Sequence, residues 1–395
     1  MTSSTLEISR DQCAPPAGGG AHNAVLDELS STLFASLPRS DQRRKGVQYI
    51  QGLLRANGRK SIRNIAKLVD GAASEQSLHH FVCSSTWDWM PVRQELCRYL
   101  ARVAPPQAWV VRPVLIPKAG EHTVGVGRRF VPTLGQVLNA QQAVSVWAAS
   151  PELSAPVNWR LHLAGRADES PAGRGGAETL GDCAVDALLE MATGRQRSDG
   201  WPVVVDAPEL ATPGLLGRLR AAGVPMMVRV QGTLPLTPAG AGSCRYGDGA
   251  LPAHRILRMV AELRRPASVA DAAGPGTRTL VAGVRVNLSR PAGGPGNAWG
   301  GGEFVLIGAG PHGRRWPTEL WLSDLVHLQP AALFRLSRLA GRVDRDFAEI
   351  ADRVGVRDFV GRSYNGWHRH VTLASAAHTV AALTGAGGER LDAAS

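Results

Sequence analysis

The chain has 395 residues, which at roughly 100 to 200 residues per domain predicts two domains or one large domain carrying an insertion. Lys and Arg total 44 against 33 for Asp and Glu, a formal net charge of +11 that points to an acidic partner. Five scattered cysteines without a C-x-x-C pair argue against a zinc site or disulfide framework and fit a reducing cytosol. No apolar run reaches the ~18 residues of a membrane span, and the opening MTSSTLEISRDQCAPPAGGG lacks a basic start followed by an apolar stretch, so membrane and secreted classes are set aside.

Only Lys45, Lys60, Lys67 and Lys118 are lysines; the other cations are arginines, whose planar fork suits phosphate, although a GC-rich genome gives the same excess. Residues 1–23, rich in Ser, Gly, Pro and Ala, are expected to form a disordered lead. From 24 to 104 the period is helical. Ser40 can cap a segment whose Val47, Ile50, Leu53 and Leu54 share a face, and Ser61 one carrying Ile62, Ile65, Leu68 and Val69. A third helix runs through Leu78, Phe81 and Val82, and a fourth from Pro91 through Leu96 and Leu100. Arg43, Arg44, Lys45, Arg59, Lys60, Arg63 and Lys67 stand in a stretch whose single acid is Asp41. The predicted unit is a helical DNA-binding domain with these cations as phosphate contacts; an ordinary solvated helix face is the alternative.

After Pro105 and Pro106 the period becomes that of strands, over Trp109 to Ile116, Thr123 to Gly127, Ala143 to Ala148 and Val157 to Leu163, which suggests a meander. Helix, buried strand, helix and strand then follow at 180–191, 202–205, 215–222 and 224–230, an α/β pattern. Gly- and Pro-rich loops mixed with short strands over about 232–325 read as an insertion within a core spanning 105–385. A long helix is expected from Ala331 to Val354, a last apolar one from Trp367 to Leu383, and a frayed tail over 386–395.

Gly308, Gly310 and Gly313 satisfy G-x-G-x-x-G, but Pro311 and Pro317 flank a stretch that opens no crossover helix, so a hairpin or insertion loop is the better reading. His79 with His80, and His368 with His370, lack partners at metal-ligand spacing. Two acids are better placed. Asp206 ends an apolar strand, where α/β sheets present catalytic groups, and Glu349 lies on the long helix one turn after Arg345. Carboxylates converging from separate elements are what two-metal phosphoryl chemistry requires.

Several stretches carry a resemblance: GEHTVGVGRRFVPTLGQVLNAQQAVSVWAAS at Gly120 to Ser150, VNWRLHL at Val157 to Leu163, WPVVVDA at Trp201 to Ala207, DFVGRSYNGWHRHVTLA at Asp358 to Ala374, and the leader DQRRKGVQYIQGLLRANGRKSI. In this order they resemble bacterial insertion-sequence transposases of the DDE superfamily, of the insertion sequence 701 type. The resemblance implies an α/β ribonuclease-H-like core with a largely β insertion, preceded by a small helical domain. It also implies Mg²⁺-dependent strand cleavage and transfer on double-stranded DNA, a possible homodimer on that DNA, and a cytoplasmic, nucleoid-associated protein. Asp206 matches the second catalytic Asp and Glu349 the catalytic Glu, which makes these two the surviving metal ligands; Arg345 matches an Arg that precedes that Glu. Arg342 and Val356 stand where relatives often carry Tyr and Lys. Arg362, Arg369 and His370 are candidate backbone contacts.

The first Asp is the departure. Where relatives read roughly W-V-I-D-D-T-G-F-P-K-K-G-K-H, Arg112 and Pro113 occupy the paired-Asp positions, and no acid lies between Glu95 and Glu121. A guanidinium at ~5 Å from a divalent ion, at an effective dielectric near 20, is repelled by about 6 to 7 kcal/mol. The sequence therefore reads as a DNA-binding protein on a degenerate DDE scaffold, impaired in cleavage and retained as a regulator or accessory factor. In this reading Arg112 pairs with Asp206 or Glu349. The alternative is an active transposase that uses a substitute ligand such as Glu121.

Overall fold

The computed structural model describes residues 18–69, 75–131, 134–163, 178–192, 200–239, 249–267, 279–288, 302–311 and 316–392. Helices come first: α1 (Gly18–Leu33), α2 (Ser40–Arg55), α3 (Ile62–Ala66), α4 (Glu75–His79, extended by a π turn at His80–Ser84) and α5 (Trp89–Val103). Ser61 caps α3 by accepting from the Asn64 amide, as the sequence suggests, and Asp88 caps α5 by accepting from Met90. The lead expected over 1–23 is corrected at its end, because α1 begins at Gly18 and drives Leu26, Leu29 and Leu33 into the core.

The strands form one sheet, twelve-stranded among the described residues. Its centre comprises β1 (Ala108–Pro117), β3 (Gln136–Ala149), β4 (Ser154–His162), β5 (Val203–Val205) and β6 (Met226–Arg229). In spatial order β4, β3 and β1 are antiparallel neighbours, followed by β5 and β6 parallel to β1. That is a ribonuclease-H-like arrangement within an α/β fold. The run Val203–Val205 is wholly buried, as a strand covered by helices on both faces should be. α6 (Leu180–Ala192) and α7 (Pro213–Ala221) connect these strands, and β2 (Val126–Val131) pairs with the first part of β3.

The insertion continues the same sheet. β12 (Glu319–Ser323) joins β6 antiparallel, and β11 (Glu303–Pro311), β10 (Thr279–Leu288), β7 (Pro235–Pro238) and β8 (Leu251–Pro252) extend it outward, with β9 (Arg265–Ala267) on β10 and α8 (Ala253–Met259) against them. Gly308 and Gly310 belong to β11, where added Cβ atoms would meet the Trp316 ring at 3.0 Å. Their glycines serve close packing of strand on indole; Gly313 lies outside the described residues. The long helix expected at 331–354 is α9 (Pro330–Asp346), which widens into a π turn at Phe347–Ala351.

Last comes α10 (Tyr364–Asp392), which runs into the expected tail. From Gly366 to Val380 every residue of it is buried, because the sheet lies on one side and α1, α2 and α5 on the other. The leading helices thus share one hydrophobic core with the sheet. Polar residues inside α10 are satisfied locally: Thr372, Ser375 and Thr379 hydroxyls donate to the carbonyls of His368, Val371 and Ser375. The fully buried Arg93 of α5 donates to Thr372 Oγ1 (2.7 Å), Asn158 Oδ1 (2.7 Å), the carbonyls of Trp159 (2.8 Å) and His368 (3.1 Å), and His368 Nδ1 (3.1 Å). Burial holds its guanidinium down to about 9.

His370 Nε2 donates to the Gly355 carbonyl at 2.9 Å while Nδ1 accepts from Tyr49, and His378 Nε2 donates to the Ser154 carbonyl at 2.8 Å. Burial pushes both imidazoles down to about 4 from the ordinary 6.5. They stay neutral in the fold, whereas the unfolded chain takes up protons below about pH 6.5. The contribution of these two imidazoles should be constant above that pH and be lost as pH drops from about 6.5 towards about 4, by on the order of 3 kcal/mol per imidazole. Denaturant midpoints measured across that range test this; a midpoint unchanged between about pH 7.5 and 5 would contradict it.

Candidate active site

β1 and β5 run parallel with Val111 beside Val205, so the next residues, Arg112 and Asp206, stand side by side at the end of the paired segment. Proline is tolerated in β1 for a geometric reason. The Trp109 amide donates towards β5, to Pro202, and strand alternation turns position 113 the same way, past the last residue of β5; the missing Pro113 N–H forfeits no ladder bond.

Arg112 is held on three sides. Its Nε donates to Asp344 Oδ1 at 2.8 Å, its guanidinium lies 3.9 Å from the Phe347 ring centroid, and Ser145 of β3 donates to its carbonyl at 3.0 Å. Arg357 approaches the same ring at 5.7 Å and donates to Asp352 at 2.5 Å. Burial raises the Asp352 carboxyl, against the lowering effect of Arg357 and Arg112. Asp206 accepts from Arg229 Nη1 of β6 at 2.8 Å. Burial works to lower the Arg229 guanidinium, but the hydrogen bond and charge of Asp206 outweigh it and leave it raised.

The expected partner of Arg112 is corrected. The carboxylate that α9 turns towards Arg112 is Asp344, one turn before Phe347, and the guanidinium pairs with it rather than with Asp206 or Glu349. Glu349 lies five residues on, about 140° round an α-helix, and the π turn displaces it further. It is exposed and lines a cavity of about 710 Å³ with Lys60, Arg342, Asp346, Asp352 and Arg353, whose walls include neither Asp206 nor Arg112. Asp346, two residues on and about 200° round the helix from Asp344, is buried and structural: its Oδ2 accepts from the Ser154 amide (2.9 Å) and hydroxyl (2.7 Å) and from Arg342 (2.8 Å). A sequence sign of Asp344 was its place bordering the apolar stripe Leu339, Ala340, Val343 and Phe347.

Of the expected nucleic-acid contacts, Arg44, Arg59, Arg63, Lys67, Arg345 and Arg362 are exposed. Arg43 is exposed but donates to the Leu37 carbonyl at 2.7 Å, and Lys45 pairs with Asp41 at 3.6 Å. Three others are corrected. Lys60 is buried, with its ammonium donating to the Ala56 carbonyl and its amide to Asp358, and burial lowers its pKa. Arg369 is buried and donates to the carbonyls of Trp87 (3.0 Å) and Val82 (3.2 Å). His370 is the fully buried bridge between Tyr49 and Gly355.

A ribonuclease-H-like sheet, with acids at a strand end and on the helix laid over it, is a scaffold for polynucleotide chemistry. The model described as DDE superfamily endonuclease matches residues 32–280, and the chain belongs to that family. Among solved structures it is similar to a piggyBac transposase synaptic complex with hairpin DNA, at 11% identity and a TM-score of 0.39, covering 90% of this chain and 72% of that one. No protein of curated function matches it. No helix among the described residues is long and apolar enough to cross a membrane.

The divalent metal implied by this family does not fit the residues present. Asp206 and Asp344 are each engaged by an arginine, the Arg112 guanidinium occupies the space beside Asp344, and no group of three or more ligating side chains converges among the described residues. The Arg112 and Asp344 side chains are 26% and 62% exposed, so their ion pair adds little to folding. A double-mutant cycle of Arg112→Ala and Asp344→Asn should give a coupling of about 0.2 to 1 kcal/mol. A coupling above about 2 kcal/mol would show that the pair is a structural necessity.

Proposed function

We propose that this protein is a DNA-binding member of the insertion-sequence 701 type of DDE proteins, impaired in strand cleavage and retained as a regulator or accessory factor. The observation that carries the reading is the Arg112–Asp344 ion pair, a fixed positive charge at the strand position next to Asp206 and already matched by the acid of the helix. In this reading Asp344, not Glu349, holds the third acidic position of the scaffold, and Arg112 or Pro113 the lost first one. A divalent cation entering there would meet a repulsion of about 6 to 7 kcal/mol from Arg112 at ~5 Å. Duplex DNA would be held through phosphates by Arg44, Arg59, Arg63 and Lys67 on the leading helices and by Arg345 and Arg362 near the site, all exposed. A homodimer on DNA and residence with the nucleoid belong to the same reading.

The test is a binding and cleavage assay on DNA carrying the flanking chromosomal sequence, with Mg²⁺ or Mn²⁺. The natural protein should bind without nicking, and its log affinity should fall steeply with log salt. Replacing Arg44, Arg59 and Arg63 by Ala should flatten that slope by about 2 to 3 units, at roughly 0.9 per phosphate contact. Cleavage by the natural protein that disappears in Asp206→Asn or Asp344→Asn would overturn the degenerate-site reading.

A further inference from the structure

The β2–β3 hairpin carries an apolar surface that the fold leaves uncovered. Phe130, Leu134 and Val137 are 59%, 55% and 52% exposed, and Phe130 stands directly opposite Val137 in the ladder. Arg128, opposite Asn139, shares their face by strand alternation and is exposed. The other face is fixed to the body: Val131 is buried, and Arg129 reaches His162 Nδ1 at 3.4 Å. At the base of the hairpin, Gly125 adopts φ +71 where an added Cβ would meet Leu161 at 3.2 Å, and Gln141 donates to the Val124 carbonyl at 2.7 Å. A hairpin so anchored holds its apolar face in one place.

Two observations select the occupant. The chain has no Asp or Glu between Glu121 and Glu152, so the hairpin is purely cationic. In β3, alternation puts Val137 on the face of Ser145, the register partner of Arg112, and the hairpin extends past the end of β1, where Pro117 pairs with Ala140. Val137 is eight residues from Ser145, about 27 Å along the strand at ~3.4 Å per residue. The apolar face therefore continues the face of the Arg112 position at a distance spanned by a short stretch of duplex.

The geometry points to a DNA-deforming wedge: Phe130, flanked by Leu134 and Val137, inserts between base pairs of a bound duplex while Arg128 holds the adjacent phosphate. This rests on the DNA-binding reading above. A cationic rim suits phosphates, and an aromatic tip in an apolar trio is the side-chain type that unstacks a base step and bends the helix.

The probe is a 30-bp duplex of the flanking sequence, end-labelled for energy transfer and carrying 2-aminopurine at successive positions. The natural protein should shorten the end-to-end distance and brighten one 2-aminopurine position, and a mismatch there should tighten binding by roughly tenfold. Phe130→Ala with Val137→Ser, both at exposed positions, should abolish bending, brightening and mismatch preference with an unchanged melting temperature and salt slope. Phe130→Trp should keep them. Binding by the natural protein without bending, or bending unaffected in the double variant, overturns the wedge while the DNA-binding reading stands. Absence of any duplex binding by the natural protein is the separate failure of that reading, and overturns both. A dimer in sedimentation that the double variant turns into a monomer would assign the face to a second copy of the chain and overturn the wedge.

Discussion

The architecture depends on a helix buried on every side. α10 has no solvent face from Gly366 to Val380, yet its sequence there contains three histidines, an arginine, a serine and two threonines; the hydroxyls turn to the helix's own carbonyls, and the arginine and histidines reach into its surroundings. Arg93 is the most demanding of the groups that meet it. A guanidinium enclosed without a carboxylate in contact is tolerable only when its donors find acceptors, and Arg93 finds them in Thr372, Asn158, Trp159 and His368. One side chain thereby joins a leading helix, a core strand and the closing helix. Arg369 does the same in reverse, reaching from α10 to carbonyls at Val82 and Trp87. The leading helices are consequently part of the same core as the sheet, and any surface they present is held at a fixed orientation to Arg112.

Local charge balance explains the arrangement around Arg112. A guanidinium just past the segment of β1 that pairs with β5 needs a counter-charge and a flat surface, and Asp344 and the Phe347 ring supply both within one turn. Asp206 is matched by Arg229 from the adjacent strand. The two acids and two arginines form separate, partly exposed pairs rather than a convergent carboxylate cluster, and neither pair is under pressure to move.

Local pattern sufficed for much of the fold. Capping at Ser61, the buried Val203–Val205 run and the position of Asp206 at its end depend on neighbours in sequence, which is what periodicity reports. The partner of Arg112 was harder. Naming Asp344 rather than Glu349 as the acid that meets the guanidinium requires knowing which face of α9 meets β1 and that a π turn intervenes at Phe347, and neither is encoded in a spacing rule. Lys60, Arg369 and His370 looked like surface cations because their partners Asp358, Trp87 and Tyr49 lie roughly 300 residues away along the chain. The length of β3 was underestimated for a similar reason: Gln136 to Gln142 lacks apolar alternation, and its extended form is imposed by pairing with β2.

This divides the arginine excess into two populations with different physics. Arg93, Arg160 and Arg369 use the planar fork inward, on carbonyls, amides and the carboxylates of Glu178 and Glu190, where a lysine could satisfy fewer acceptors from one position. Arg44, Arg59, Arg63, Arg128, Arg345 and Arg362 face solvent. Net charge counts both populations equally, but only the second contributes contacts to an acidic partner, and much of the first is already neutralised or spent on main-chain acceptors. Composition therefore overstates the number of cations free to meet an acidic partner. The strength of any DNA interaction should be judged from the exposed set, whose members stand on the leading helices, the hairpin, α9 and the segment before α10.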